Sequence, residues 1–283
     1  MTLEGPTEHR DRNYSTRRLL ERELEVSAIL RVPQPETDGG ATKRMLGILQ
    51  DLLLRAGIRV QRSGRAFPVV RRKLFAQEMI GCVLDVGANR GQYAREIRRW
   101  GYSGRIISCE PNPDACADLK RRALVDRHHS VFNTAIGSAD GLGTLHVTRS
   151  DAASSLLPIV NDDLLGLPGL TPAGTREVTV CRLDTLAERA GWDLQRYPTH
   201  VKIDVQGSEM DVLLGARETL KATRSVELEI SLVELYRGQA LLPEVFVEMN
   251  ERGYTCKWVE PGYQNPVSGW LLQLDALFVR NPS

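Results

Sequence analysis

Val83-Leu84-Asp85-Val86-Gly87-Ala88-Asn89-Arg90-Gly91-Gln92-Tyr93 decides the fold. A short apolar run meets a glycine turn, and a helical pattern starts at once. That is the strand–turn–helix opening of an open α/β sheet, where ligands bind beyond the carboxyl ends of strands. Gly87 and Gly91 let the backbone bend sharply and approach a ligand with no Cβ in the way. A dinucleotide fingerprint would need GxGxxG. Counted from Gly87, those places hold Gly87, Asn89 and Gln92, so two of the three glycines are missing. The remaining pattern, DxGxNxG, suits a cationic amino-acid moiety better than a pyrophosphate. Asp85 would attract its ammonium group, and the turn amides would meet its carboxylate.

Strand-like and helical stretches alternate downstream. Strands are read at Val83–Val86, Arg105–Cys109, Val131–Ile136, Thr144–Thr148, Val178–Leu183, Val201–Val205 and Val226–Ile230. Helices are read over Gly91–Trp100, Pro113–Leu124, Glu209–Leu220 and Leu242–Arg252, with a short one from Asp184. Such repetition predicts a mainly parallel sheet with helices on both faces. The last two runs, Tyr254–Val259 and Leu272–Val279, have no helix between them and predict an antiparallel C-terminal hairpin. Residues 149–177 and 260–271 read as long loops, the usual places for lids and binding loops.

The second run ends at Cys109-Glu110-Pro111-Asn112, with Glu110 23 residues past Gly87. A carboxylate there accepts hydrogen bonds from ribose hydroxyls. The glycine turn and Glu110 together predict a nucleoside pocket. Asn133, Ala135 and Ile136, closing the next run, are candidates to border its base. His200-Val201-Lys202-Ile203-Asp204-Val205-Gln206-Gly207-Ser208-Glu209 repeats the strand-then-glycine arrangement and brings Asp204 to the same edge. Glu229 closes the neighbouring run, on the same side as Glu227. Asp204, Glu229 and Glu209, in that order, are the candidate catalytic acids, with His146 behind them. Glu209 has an equal structural explanation, a charge at a helix N-terminus.

The whole chain has 283 residues, 42% hydrophobic and 26% charged, with net charge +1. Nothing in that balance marks a nucleic-acid binder, and no Asn-Pro-Pro-aromatic loop follows Asp204 to cradle a flipped base. Five cysteines without CxxC spacing argue against a zinc or disulfide framework. Without a signal-like start or a long apolar run, the chain is expected in the cytoplasm, with no stable membrane insertion. Three regions are expected: a polar arm over 1–42, with a charge-rich helix at Ser15–Ile29; a helical subdomain over 43–79, with its helix at 43–60; and the α/β domain over 80–283.

VLDVGANRGQY, CEPNP, NTAIG, VKIDVQGSE and SGWLLQLDALFV resemble the FkbM-type methyltransferases, over roughly residues 80–280. The resemblance implies a Rossmann-like class I methyltransferase fold, S-adenosyl-L-methionine as donor, and O-methylation of a hydroxyl on a sugar or another natural product. It places the donor on Asp85, Gly87, Ala88, Asn89, Gly91, Glu110 and Asn112. Gln92, Tyr93, Pro111, Asn133, Ala135, Ile136 and Asp204 complete the expected donor site. A base acting as the methyl moves assists an aliphatic hydroxyl; a variant has Asp204, Glu209 and Glu229 hold Mg2+ to polarise it. Tyr236, Trp258, Tyr263, Gln264 and Trp270 are the acceptor-site candidates, with Arg237, Ser154 and Ser155 nearby in the reading. A nicotinamide-dependent oxidoreductase, a non-catalytic nucleoside-binding module and a protein or RNA methyltransferase stand as alternatives, and self-association is left open.

Overall fold

The computed structural model describes residues 67–160, 170–194 and 196–282. The helices expected at Ser15–Ile29 and 43–60 lie outside these residues, as do 161–169 of the first long loop. The chain divides into two compact units, Met1–Gln77 and Glu78–Ser283. The described part of the first unit is helix α1 (Phe67–Gln77), in which the Arg71 guanidinium sits 4.3 Å from the Phe67 ring centroid.

The second unit opens with β1 (Cys82–Val86), α2 (Gln92–Arg99), β2 (Arg105–Cys109), α3 (Pro113–Ala123) and β3 (His129–Phe132). It continues through β4 (Ala135–Ile136), β5 (Gly141–Thr148), β6 (Pro172–Cys181), α4 (Leu183–Arg189) and β7 (Thr199–Ile203). Helices α5 (Glu209–Gly215) and α6 (Arg217–Ala222), β8 (Thr223–Ser231), α7 (Leu242–Glu251), β9 (Tyr254–Pro261) and β10 (Gln273–Arg280) complete it. Seven strands form the main sheet in the order β3-β2-β1-β7-β8-β10-β9. The first five run parallel, and the β9–β10 hairpin adds antiparallel to β8. The mainly parallel α/β sheet with its C-terminal hairpin is thus the architecture that the sequence predicts.

From β1 the chain goes to β2 on one side, while β7 lies on the other. That reversal opens a crevice at the strand tips. Alternation along the strands separates two faces. Leu84, Val86, Val201, Ile203, Val226, Leu228 and Ile230 enter one apolar core with Val212 and Leu213 of α5 and Val245 and Met249 of α7. The other face carries a transverse polar row: Asp85 pairs in register with Ser108 on one side and Lys202 on the other, and Lys202 with Glu227. A charged row inside a sheet costs free energy unless it is mutually compensated. The sign alternation Asp85, Lys202, Glu227 supplies that compensation.

Three expected elements differ. The strand read over Val131–Ile136 is two strands in two sheets: β3 joins β2, whereas β4 pairs with β6 in a separate three-stranded sheet, β4-β6-β5. Asn133 makes the break, because its Nδ2 donates to the carbonyls of Glu110 and Pro111. Loop 149–177 is strand in its last third: Pro172–Glu177 extend β6 against β5. The helix read over Glu209–Leu220 turns at Ala216, where Gly215 presses on Gly137; a Cβ at Gly215 would lie 1.9 Å from that carbonyl oxygen. All five cysteines are free thiols, four of them buried. No helix among the described residues is long and apolar enough to cross a membrane.

Candidate active site

A cleft lies at the tips of β1, β2 and β7. Its lining mixes apolar side chains with a few convergent polar groups, as small-molecule sites do. Its floor is the glycine turn, where Gly87, Asn89 and Gly91 all have left-handed backbones. All five amides from Gly87 to Gly91 are already engaged. Gly87 and Ala88 donate to the Cys109 carbonyl at 3.0 Å, Asn89 to Glu110, Arg90 to the Asn89 side chain, and Gly91 to Ala88. The expectation that these amides meet a ligand carboxylate is therefore corrected: they hold the turn's shape.

Glu110 stands just past β2. Its Oε2 accepts from the Asn89 amide and its Oε1 from the Asn112 amide, both at 2.7 Å. Each oxygen keeps a further lone pair, and the residue lines the cleft. Burial pushes its pKa up to about 7, against the pull of the two amides, with the Asp85 and Asp151 charges adding to the rise. Asn112 is occupied structurally, capping α3 by accepting from the Asp114 amide. Asp85 is fully buried beneath the turn, and its two oxygens have no hydrogen-bond partner among the described residues. Burial raises it to about 6, with the Lys202 ammonium pulling the other way.

Of the expected donor residues, Gly87, Ala88, Asn89, Gln92, Tyr93, Glu110, Pro111, Ala135, Ile136 and Asp204 line the cleft. Asp85, Gly91 and Asn112 are buried behind that surface, whereas Asn133 is exposed and holds the Glu110 and Pro111 carbonyls with its amide. Sequence reading missed Lys202, Gln206, Asp151 and the apolar wall of Leu145 and Leu156, which line it as well. Lys202 carried a legible signal: it is a lysine inside an apolar strand, on the same side as Asp204.

Asp204 follows β7 directly. Its Oδ2 accepts from Lys202 Nζ at 2.8 Å and its Oδ1 from Gln206 Nε2 at 2.8 Å. Burial raises its pKa, but the Lys202 charge and these hydrogen bonds outweigh that and hold it below the usual carboxylate range. Gln206, itself left-handed at φ 57°, uses the same amide nitrogen to donate to Glu229, which also accepts from Gln273 Nε2 at 2.9 Å. Burial, then the charges of Asp204, Glu209 and Asp275, push the Glu229 carboxyl well above the usual range, and it lies outside the cleft lining. Glu209 accepts from the amides of Val205 and Gly207. Burial lifts it to about 7. The structure therefore brings Asp204 alone of the three candidate acids to the cleft. It does not present the Asp204–Glu209–Glu229 set as a Mg2+ site, and among the described residues no group of three or more His, Cys, Asp or Glu is arranged for a metal.

A 3-10 turn, Asp151–Ala153, forms one lip of the cleft. Arg90 from the glycine turn pairs with Asp151 (Nε–Oδ2 3.2 Å) and with Asp118. Ser154 lines the cleft, while Ser155 is buried and its hydroxyl donates to the Gln206 carbonyl at 2.6 Å. Tyr236, expected on the acceptor side, is 1% exposed; its hydroxyl lies 2.9 Å from the Ala153 carbonyl and 3.1 Å from Gln206 Oε1. It buttresses the site from below. Trp258, Tyr263, Gln264 and Trp270 do not line the cleft: Trp258 donates to Glu260 on its own strand, and Trp270 is exposed to solvent. Arg237 is also absent from the lining, and His146 sits on β5, paired through its backbone with Ser155.

This strand order, with a crevice at the first strand's tip and an acid closing the second, defines a class I methyltransferase architecture. The chain belongs to the family of the methyltransferase FkbM domain, whose model matches residues 85–256. It is similar to the 2-O-methyltransferase NoeI of Sinorhizobium fredii (strain NBRC 101917 / NGR234), 29% identical over 163 residues, covering 56% of this chain and 66% of that protein. The chain thus spans slightly less than two thirds of NoeI. It is also similar to methyltransferase sdnD of Sordaria araneosa, 25% identical over 194 residues, covering 61% of this chain and 73% of the relative. Among solved structures it is similar to magnesium protoporphyrin IX methyltransferase (ChlM) from Synechocystis PCC 6803 with bound SAM, with a TM-score of 0.41, 9% identity, and coverage of 98% of this chain and 100% of that one.

Proposed function

We propose that the chain is an S-adenosylmethionine-dependent O-methyltransferase acting on a hydroxyl of a sugar, glycan or other natural product, with residues 80–283 as its catalytic domain, 43–79 as a helical subdomain and 1–42 as an arm. The observation that carries this reading is Glu110, a carboxylate fixed by two backbone amides at the tip of β2 with lone pairs left for a ligand. The residues fit the donor. Glu110 would take the ribose hydroxyls, Ala135 and Ile136 would border the base, and the buried Asp85 carboxyl beneath the turn adds to the acidity that favours a cationic ligand above it. Lys202, paired with Asp204, is the cation among the lining residues that offsets this acidity. When bound, S-adenosylmethionine supplies a methyl group made electrophilic by its sulfonium.

The chain's own groups do the rest. The cleft holds the acceptor oxygen in line. Asp204 receives its proton. A carboxylate held below its usual range is a weak base, but an alcohol oxygen that is gaining a carbon is far more acidic than any carboxyl, so Asp204 suffices. The relative named as a 2-O-methyltransferase supports a hydroxyl acceptor.

Calorimetry with S-adenosylhomocysteine tests the donor site. Glu110→Ala removes two charge-assisted hydrogen bonds to ribose and should weaken binding by about 100-fold. Unchanged affinity would remove Glu110 from the ribose role, and absence of any binding heat in the unmodified chain would end the reading. NADH should give no thermal shift where S-adenosylhomocysteine gives one; the reverse would favour an oxidoreductase.

The same titration has a pH signature. Ribose hydroxyls donate to the ionised carboxylate, so binding lowers the Glu110 pKa from about 7 and expels a proton. Affinity should therefore rise as pH climbs towards about 7 and level off above it. Titrations in two buffers of different ionisation heat should show proton release just below neutrality. Affinity that falls over that range would mean that the ligand meets the protonated acid.

A further inference from the structure

We propose that Lys202 and Asp204 act together to read the acceptor: Lys202 donates a hydrogen bond to the acceptor oxygen while Asp204 accepts its proton, which selects a neutral hydroxyl over an amine or a carboxylate. The proposal rests on the methyltransferase reading above and deepens it.

Both side chains line the cleft, two positions apart on one side of the β7 tip. Nζ lies 2.8 Å from Oδ2, and the two side chains are 12% and 31% exposed, enough for a ligand to reach both. The Tyr93 ring, its centroid 5.7 Å from Nζ, walls the ammonium on one side. Asp85 and Glu227, its neighbours across the sheet, join Asp204 in keeping it protonated. An ammonium has three N–H donors, and among the described residues one is bound, to Asp204. The Asp204 carboxylate has about four lone-pair sites. Lys202, Gln206 and Glu229 use three of them and leave one open. A donor and an acceptor are therefore left side by side, facing the same space.

A hydroxyl satisfies both with a single oxygen. It accepts from Lys202, donates to Asp204, and keeps one lone pair for the incoming carbon. An alkylamine is protonated at neutral pH and has no lone pair for the Lys202 N–H. A carboxylate has no proton for Asp204 and meets its charge at close range. In the step, the acceptor oxygen forms its C–O bond as the C–S bond breaks, with that bond's electron pair staying on sulfur. The hydroxyl proton passes to Asp204, which becomes a neutral acid and then loses the proton to water. Lys202 keeps its proton throughout.

The test uses the full chain, S-adenosylmethionine with a labelled methyl group, and a panel of methyl glycosides. The panel holds neutral hexoses and 6-deoxyhexoses beside the matching amino sugars and uronic acids. The unmodified chain should place the label on hydroxyl oxygens at least about 100-fold faster than on the amine or carboxylate of the charged counterparts. Lys202→Met should lower kcat/KM on the best neutral glycoside by about 100-fold and leave S-adenosylhomocysteine affinity within about threefold. Lys202→Gln keeps an N–H donor without the charge; it guards against a misfolded Met variant and should lose less of the rate. Full activity in Lys202→Met would overturn the proposal. So would an affinity for S-adenosylhomocysteine that falls in step with the rate, since Lys202 would then hold the donor's carboxylate. Equal transfer to the nitrogen of amino sugars, or donor binding with no glycoside labelled, would overturn the acceptor class. A chain that binds no S-adenosylhomocysteine would instead bring down the reading underneath.

Discussion

Asp204→Ala is expected to lower methyl transfer by about 1000-fold, within the range for loss of a positioned base, while S-adenosylhomocysteine affinity changes by less than about threefold. The asymmetry follows from the geometry. Asp204 lies past the tip of β7, while the ribose-directed carboxylate, Glu110, lies past β2 and is held by different amides. Removing Asp204 also leaves the Lys202 ammonium without its 2.8 Å partner and frees the Gln206 amide. Asp204→Asn separates the two effects. Its carbonyl oxygen still accepts from Lys202, but it cannot take a proton, so it should fold like the parent and still lose most of the rate. Initial rates with labelled donor, alongside calorimetry, decide the matter: turnover near the parental rate in either variant would take Asp204 out of the chemistry.

Gly87→Ala should have the largest structural effect. A Cβ there would lie 1.8 Å from the Asp204 carbonyl oxygen, and the backbone is at φ 79°. Left-handed strain and overpacking together cost roughly 2–5 kcal/mol. The obstacle is main chain, so no rotamer change relieves it. For a domain of this size the thermal midpoint should fall by roughly 10 °C. Because the Gly87 and Ala88 amides anchor the turn to Cys109, S-adenosylhomocysteine binding should be lost as well. Scanning calorimetry with and without that ligand checks both; a midpoint within about 2 °C of the parent would show that β1 and β7 can separate at their tips without cost.

The main sheet was legible because its buried strands are short apolar runs, and Gly87, Glu110 and Asp204 stood at their ends, where an open sheet exposes its chemistry. What stayed hidden has physical causes. Pro172–Glu177 is exposed along its whole length and shows no alternation, so it read as loop although it forms ladder with β5. Asn133 stands inside a run of strand formers, and only the diversion of its amide to two carbonyls reveals that the strand breaks there. Tyr236 and Trp258 looked like sugar platforms by residue type. One is buried under the site, where it supports Gln206, and the other sits on β9 and bonds its own strand. Lys202 was hidden for the opposite reason: it stands inside the motif whose chemistry is dominated by the acid two residues later.

The small sheet carries a consequence for diversification. Ile136 and Leu145 bring it to one wall of the pocket, yet β4, β5 and β6 share no ladder with the seven-stranded scaffold. The β5–β6 ribbon can therefore be lengthened, shortened or grafted from a related chain without shifting the register that fixes Glu110 and Asp204. The register that fixes Glu110 and Asp204 and the contour of that wall are thus carried on separate pieces of backbone.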